Sequence, residues 1–133
     1  MIQEISVNTA RRNEFKEITG EIQKAVSKGR LENGLCVVFV KHTTAGITIN
    51  ENADSSVRAD ILKRLTELVP LDAGYQHSEE NSDAHIKASL MGFSVSVPVE
   101  KGRLLLGTWQ GIYFCEFDGP RKRSLLVKLI QSP

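Results

Sequence analysis

The stretch FSVSVPVEKGRLLLGTWQGIYFCEFDGPRKRSLLVKLI, residues 93–130, decides the fold. Phe93, Val95 and Val97 alternate with Ser94 and Ser96, the period-two pattern of a strand with one wet face. Arg103 to Leu106, Gly111 to Phe117 and Leu125 to Ile130 read as three further strands, parted by turns that contain Gly or Pro. Lys101-Gly102 suits a hairpin corner. With no helical pattern between them, these strands must be antiparallel neighbours.

Upstream, the period becomes helical. Ser82 is positioned to cap a short helix holding Ile86 and Leu90 and stopped by Gly92. Asp54 or Ser55 caps a longer helix with Val57, Ile61, Leu65 and Leu68 on one stripe, ended by Pro70. Leu71 to Asn81 reads as loop. Leu35 to Val40 is a continuous apolar run, expected to be a strand buried on both faces. His42 to Asn52 reads as a polar turn followed by a short strand around Ile47 and Ile49. Thr19 offers an N-cap, with Glu21 in the first turn, to a helix that buries Ile22, Ala25 and Val26; Gly29 and Gly34 bracket its exit. Met1 to Thr9 and the segment around Phe15 and Ile18 read as extended. Helices in the first two-thirds and successive strands in the last third specify an α+β fold. A single domain over residues 1–133 is expected, with mostly antiparallel sheets and about three helices.

Composition sets the class of protein. The chain has 17 Lys and Arg against 16 Asp and Glu, a net charge of +1, so it lacks the basic excess of a general nucleic-acid binder. A hydrophobic fraction of 41% offsets ordering entropy by burial and excludes disorder as the main theme. No apolar run approaches the roughly 20 residues that span a bilayer, and no basic start precedes an apolar stretch. A cytoplasmic protein that engages neither membrane nor nucleic acid is expected. Cys36 and Cys115 lie far apart in the apolar stretches LCVVFV and YFCEF and read as reduced core thiols.

Candidate chemistry gathers in three segments. His42 in KHTTAG follows an apolar strand, His77 in YQHSEEN lies on a loop, and His85 in SDAHIK opens a helix. Three imidazoles brought together would suit zinc with an open fourth position. Glu51 ends a strand between Asn50 and Asn52, where a carboxylate can serve as general base or orient a ligand. Asp83 reads as first-turn helix electrostatics and Trp109 as a large core or interface anchor. Asp118-Gly119-Pro120 is turn chemistry, followed by Arg121, Lys122 and Arg123 on a strand edge, where arginine suits bidentate phosphate contacts. Neither GxxxxGK[ST] nor GxGxxG occurs.

Together, HTTAGITINEN, YQHSEENSDAHIKASLMG and LLLGTWQGIYFCEFDGPRKR resemble the signature blocks of the YjbQ-like family, often labelled secondary thiamine-phosphate synthase, from about residue 12 to the C-terminus. Before Asn81, where that family often has glycine, this chain has Glu80, a departure that bears on loop geometry. The resemblance implies an α+β homotrimer whose histidines His42, His77 and His85 form a polar, metal-binding site. Asn50, Glu51, Trp109, Gln110 and Arg121 fall on matched positions. If the label describes the chemistry, a pyrimidine methyl diphosphate is joined to a thiazole phosphate. Thr43, Thr44, Gln110, Arg121 and Arg123 would then hold phosphates, and Glu51 with Asn50 would act at the reacting centre or on a magnesium ion. Two other readings stand beside it. One is a zinc-type hydrolase in which Glu51 activates water bound at the histidines. The other is a binding module for a small phosphorylated or anionic ligand.

Overall fold

In a computed structural model, which describes residues 2–133, the patterns resolve into strands and three helices. They run β1 (Ile2–Asn8), β2 (Glu14–Glu17), α1 (Thr19–Lys28), β3 (Gly34–Phe39), β4 (Ala45–Glu51), α2 (Ser55–Leu68) and α3 (Ser82–Met91). There follow β5 (Ser94–Glu100), β6 (Arg103–Leu104), β7 (Gln110–Glu116) and β8 (Lys122–Gln131). The expected first strand is present, its Met1 lying outside the described residues.

Two antiparallel sheets result. One has the order β1-β8-β3-β5-β6 and the other β2-β7-β4. Alternation explains how they pack. The inner face of the larger sheet carries Cys36, Val38, Val97, Val99, Leu125 and Val127, all buried. Opposite stand Ala45, Ile47, Ile112 and Phe114 of the smaller sheet, with Ile22, Ala25 and Val26 of α1 completing this core. The other face of the smaller sheet presents Phe15, Tyr113 and Cys115 to Leu65 of α2 and to Ala84 and Ala88 of α3. Strand β7 is therefore buried on both sides, in the middle of three layers.

Gly46 allows a close layer contact. A Cβ there would lie 2.6 Å from the carbonyl oxygen of Gly92, which accepts the Ile47 N–H at 3.0 Å. Lys101 and Gly102, at φ 51° and 76°, form the two-residue corner between β5 and β6, as their sequence suggested.

Several expectations are corrected. β3 is central, yet only Cys36 and Val38 are buried; Phe39 faces outward at 44% exposure. Thr19 is the first helical residue and not the cap, its hydroxyl accepting from the Ile112 N–H and donating to Glu17. Of the two caps expected for α2, Asp54 is the one used, accepting from the Ser56 N–H at 2.9 Å. Leu68 is exposed, and Val69 just beyond the helix is buried in its place. Asn81, not Ser82, precedes α3, and Ile86 and Leu90 point outward while Asp83, Ala84, Lys87 and Ala88 are buried. The strand expected over Arg103 to Leu106 stops at Leu104. Trp109 is 63% exposed and anchors no core within this chain. β8 is an interior strand between β1 and β3, so Arg121, Lys122 and Arg123 do not line an edge. Both cysteines are free and buried, with burial pushing the Cys36 thiol up to about 11 and Cys115 higher still.

Candidate functional site

The turn that carries the chain from β3 to β4 supplies His42, Thr43 and Thr44, and the corner after β7 supplies Asp118 and Arg121. With Glu79, Asn81, His85 and Arg123 they line a polar cleft of about 340 Å³. Its position follows from the layers, because the near end of the smaller sheet meets the start of β8 and the N-terminus of α3.

The floor is a buried ion pair that joins the two sheets. Glu116, at the end of β7, is fully buried and Arg123, on β8, nearly so. Arg123 Nε donates to Glu116 Oε1 at 2.8 Å, its Nη2 donates to Glu116 Oε2, and Nη2 also reaches Thr44 Oγ1 at 2.8 Å. Thr9 Oγ1 donates to the same carboxylate at 2.8 Å, as do the N–H groups of Phe117 and Asp118 at 3.1 and 3.0 Å. Burial alone would push the Glu116 carboxyl up, but the hydrogen bonds from Arg123, the Asp118 N–H and Thr9, with the Arg123 charge, outweigh it and hold it below its ordinary value. A buried pair with this many satisfied donors fixes geometry.

Asp118 is the second junction. Its Oδ1 accepts from Arg12 Nη1 at 3.1 Å, and its Oδ2 from Asn81 Nδ2 at 2.9 Å and Arg121 Nη2 at 3.1 Å. Arg121 Nε also donates to the Asp118 carbonyl at 2.9 Å. Arg12 continues to Asp83 Oδ1 at 3.0 Å, and Asp83 Oδ2 meets Lys87 Nζ at 3.3 Å. Asp83 is thus a buried link in the web, beyond the first-turn role its position suggested. Gly119 permits this corner: a Cβ would fall 2.3 Å from the Arg11 carbonyl oxygen and 2.7 Å from Glu116 Cγ.

His42 is half-buried, its Nε2 3.1 Å from both the carbonyl oxygen and the N–H nitrogen of Ser124. A protonated Nε2 donates to the carbonyl and leaves the Nδ1 lone pair free; the other tautomer accepts from the N–H and carries its proton on Nδ1. Burial, then the Arg123 charge, lower its pKa below the ordinary 6.5, so the ring is neutral at pH 7. Such an imidazole can take a proton or act as a donor atom.

The structure divides the expected site residues. His42, Thr43, Thr44, His85, Arg121 and Arg123 share one cleft. His77 touches His85 edge to face, with ring centroids 5.5 Å apart, but lines the neighbouring hollow with Arg12, Tyr75 and Glu80. Thr44 and Arg123 bind each other beneath the surface, leaving Thr43 and Arg121 the exposed members. Asn50, Glu51 and Gln110 are elsewhere. Glu51 pairs with Gln110 at the far end of β4, about 20 Å from Thr44 at roughly 3.3 Å per residue. Among the described residues no three His, Cys, Asp or Glu side chains are placed to hold one metal ion.

Sequence reading missed Arg12, Asn81 and Glu116 and took Asp118 for turn chemistry alone. Glu116 had a signal, a carboxylate inside the apolar GIYFCEF, since such a group is almost never buried unless paired. Arg12 and Asn81 had none.

Residues 3–132 match the model of a family described as UPF0047 protein YjbQ-like. A UPF0047 protein of Methanocaldococcus jannaschii is 50% identical over 130 residues, 98% of this chain and 94% of that one. YugU of Bacillus subtilis, another UPF0047 protein, is 46% identical over 98% of this chain and 99% of its own. Among solved structures, an uncharacterized conserved protein of the YjbQ/UPF0047 family from Clostridium acetobutylicum is 54% identical, with a TM-score of 0.94 and coverage of 96% and 99%. A Sulfolobus solfataricus protein described as YbjQ-like and of unknown function is 35% identical with the same TM-score, covering 99% of this chain and 97% of its own.

Proposed function

We propose, for a chain that belongs to the UPF0047 protein YjbQ-like family, that the cleft beside His42 and His85 binds a small phosphorylated substrate. Charge carries this reading. Arg12, Lys87, Arg121 and Arg123 are tied by direct contacts to Asp83, Glu116 and Asp118, four cations on three carboxylates. Arg121 is the member at the mouth, with half its side chain exposed and guanidinium N–H groups left over from Asp118. A phosphate there gains charge-assisted hydrogen bonds from Arg121 and a hydroxyl contact from Thr43. Glu79, also on the rim, is largely exposed and stands 3.7 Å from His77, so water screens its charge.

The finer reading is transfer of a pyrimidine methyl group from its diphosphate to the nitrogen of a thiazole phosphate. The methylene–oxygen bond breaks with its electron pair on pyrophosphate, and the thiazole nitrogen supplies the pair for the new carbon–nitrogen bond. Arg121 and Thr43 would oppose the charge that grows on the leaving oxygen. His42, neutral and fixed by Ser124, would donate a hydrogen bond to the departing oxygen from Nδ1–H, in the tautomer whose Nε2 accepts from the Ser124 N–H.

A divalent metal belongs to this proposal only through the substrate. The donors do not form a preformed three-ligand set, so the zinc hydrolase reading finds no support in their placement. Magnesium, which binds through phosphate oxygens while keeping its waters, suits a diphosphate better. The proposal includes a cytoplasmic homotrimer; among the described residues no helix is long and apolar enough to cross a membrane. Self-association is supported by Ile2, Phe39 and Ile130, exposed on the outer face of the five-stranded sheet. Light scattering at micromolar concentration should report three times the monomer mass, and a monomer would exclude the trimer.

Calorimetric titration with pyrophosphate tests the central reading. Wild type should bind at one site per chain, and Arg121→Ala should bind about tenfold or more weakly. Absence of binding to the wild type would end the proposal. In the synthase assay with magnesium, Arg121→Ala should lower turnover by about 10²-fold. An unchanged faint rate would assign that activity elsewhere.

A further inference from the structure

Arg121 offers the cleft one defined edge of its guanidinium. Its Nε and Nη2 donate to the carbonyl and carboxylate oxygens of Asp118, at 2.9 and 3.1 Å, which uses up that side of the fork. The edge that remains carries the N–H groups of Nη1 and the second of Nη2, donors in the spacing of two phosphate oxygens. Such an edge binds well only when it is already aimed, since ordering a free arginine side chain costs rotamer entropy. Contacts with Asp118 set the aim only if the Arg121 main chain is itself fixed.

Thr9 fixes it. This residue follows β1, stands 112 positions from Arg121, is 9% exposed and does not line the cleft. Its Oγ1 accepts from the Arg121 N–H at 3.0 Å, and its own N–H donates to the Arg121 carbonyl at 3.1 Å. The single hydroxyl proton goes to Glu116 Oε1 at 2.8 Å in preference to the Arg121 carbonyl at 3.1 Å, because a carboxylate is the stronger acceptor. One hydroxyl thus ties the main chain of the mouth arginine to the buried Glu116–Arg123 pair.

We infer that Thr9 is a positioning residue for the ligand. Without touching the phosphate, its hydroxyl holds Arg121 where the free edge faces into the cleft. This rests on the phosphate reading and goes beyond it, naming what makes Arg121 an anion site and not merely a solvated charge.

Calorimetric titration of Thr9→Ser and Thr9→Ala with pyrophosphate tests the inference. Both variants lose the methyl group and its packing, so stability falls in both; only the second loses the hydroxyl. Thr9→Ala should bind about tenfold more weakly than Thr9→Ser. In an Arg121→Ala background the difference should vanish, because the hydroxyl acts through that arginine. Equal affinities for Thr9→Ser and Thr9→Ala would overturn the inference. So would a difference that survives Arg121→Ala, which would mean a general loosening of the cleft. If Thr9→Ala does not fold, Thr9→Val keeps the volume and takes its place. Failure of both to fold would assign the hydroxyl to folding and overturn the positioning role. A wild type that ignores pyrophosphate would strike the phosphate reading itself, and this inference with it.

Discussion

Arg121 and Asn81, 40 positions apart in the sequence, hold the same oxygen of Asp118, at 3.1 and 2.9 Å. Arg12 holds the other oxygen at 3.1 Å. The carboxylate thereby fixes both side chains at the cleft. Asp118→Asn should release both: binding of pyrophosphate should fall about tenfold or more, and unfolding should show a loss of roughly 1–3 kcal/mol. A variant with unchanged binding would remove Asp118 from the site.

The Glu116–Arg123 pair makes a stability prediction with a sign. Glu116→Gln leaves Arg123 buried without its counter-charge, and chemical denaturation should show a loss of about 3–5 kcal/mol. Because the Glu116 carboxyl is held below its ordinary 4.5, its contribution is fully present above that pH. It is lost as the pH falls through the lower, folded value. The acid limb of the wild-type stability profile should therefore be steeper than that of Glu116→Gln; parallel limbs would contradict the pairing.

His42 should titrate below 6.5 by NMR, because burial and then Arg123 disfavour its charged form. The folded state binds this proton less readily than the unfolded chain, so His42 favours folding above pH 6.5 and opposes it as pH falls. A midpoint above 6.5 would mean that the imidazole carries a charge the proposed chemistry does not use.

The far end of β4 should be silent in binding. Glu51→Gln and Gln110→Ala, about 20 Å from Thr44 along the strand, should leave the pyrophosphate affinity of the cleft within about twofold. A large loss would show that this end of the strand joins the site, through a second copy of the chain.

Glu80 sits at φ 60°, in the left-handed region where side chains are disfavoured. The backbone thus keeps the conformation that glycine would adopt with least strain, despite the substitution. Glu80→Gly should leave binding intact and raise stability by up to about 1 kcal/mol in thermal melts. Destabilisation would mean that the Glu80 side chain earns its place by contacts.

What the sequence made legible was periodicity. β5, β7 and β8 announce themselves by alternation or by apolar runs, and α1 buries the face its apolar spacing marks. α3 defeats that logic. Its apolar Ile86 and Leu90 face out, because its inward face is built from the Asp83–Lys87 pair and two alanines, and only tertiary partners such as Arg12 make a buried charge tolerable. The histidines stood out by type, and His42 and His85 do share the cleft. Nearness in sequence misled for Glu51, since a seven-residue strand places its two ends far apart. Asn81 and Arg12 were invisible because their roles exist only where β7, β8 and α3 converge.

Most direct for the central claim is an NMR titration of the wild-type protein with pyrophosphate, reading the imidazole signals of all three histidines. The account predicts saturable shifts at His42 and His85, lining the cleft, with a midpoint about tenfold or more weaker in Arg121→Ala. Signals that stay unmoved, or that move alike in wild type and Arg121→Ala, would contradict it.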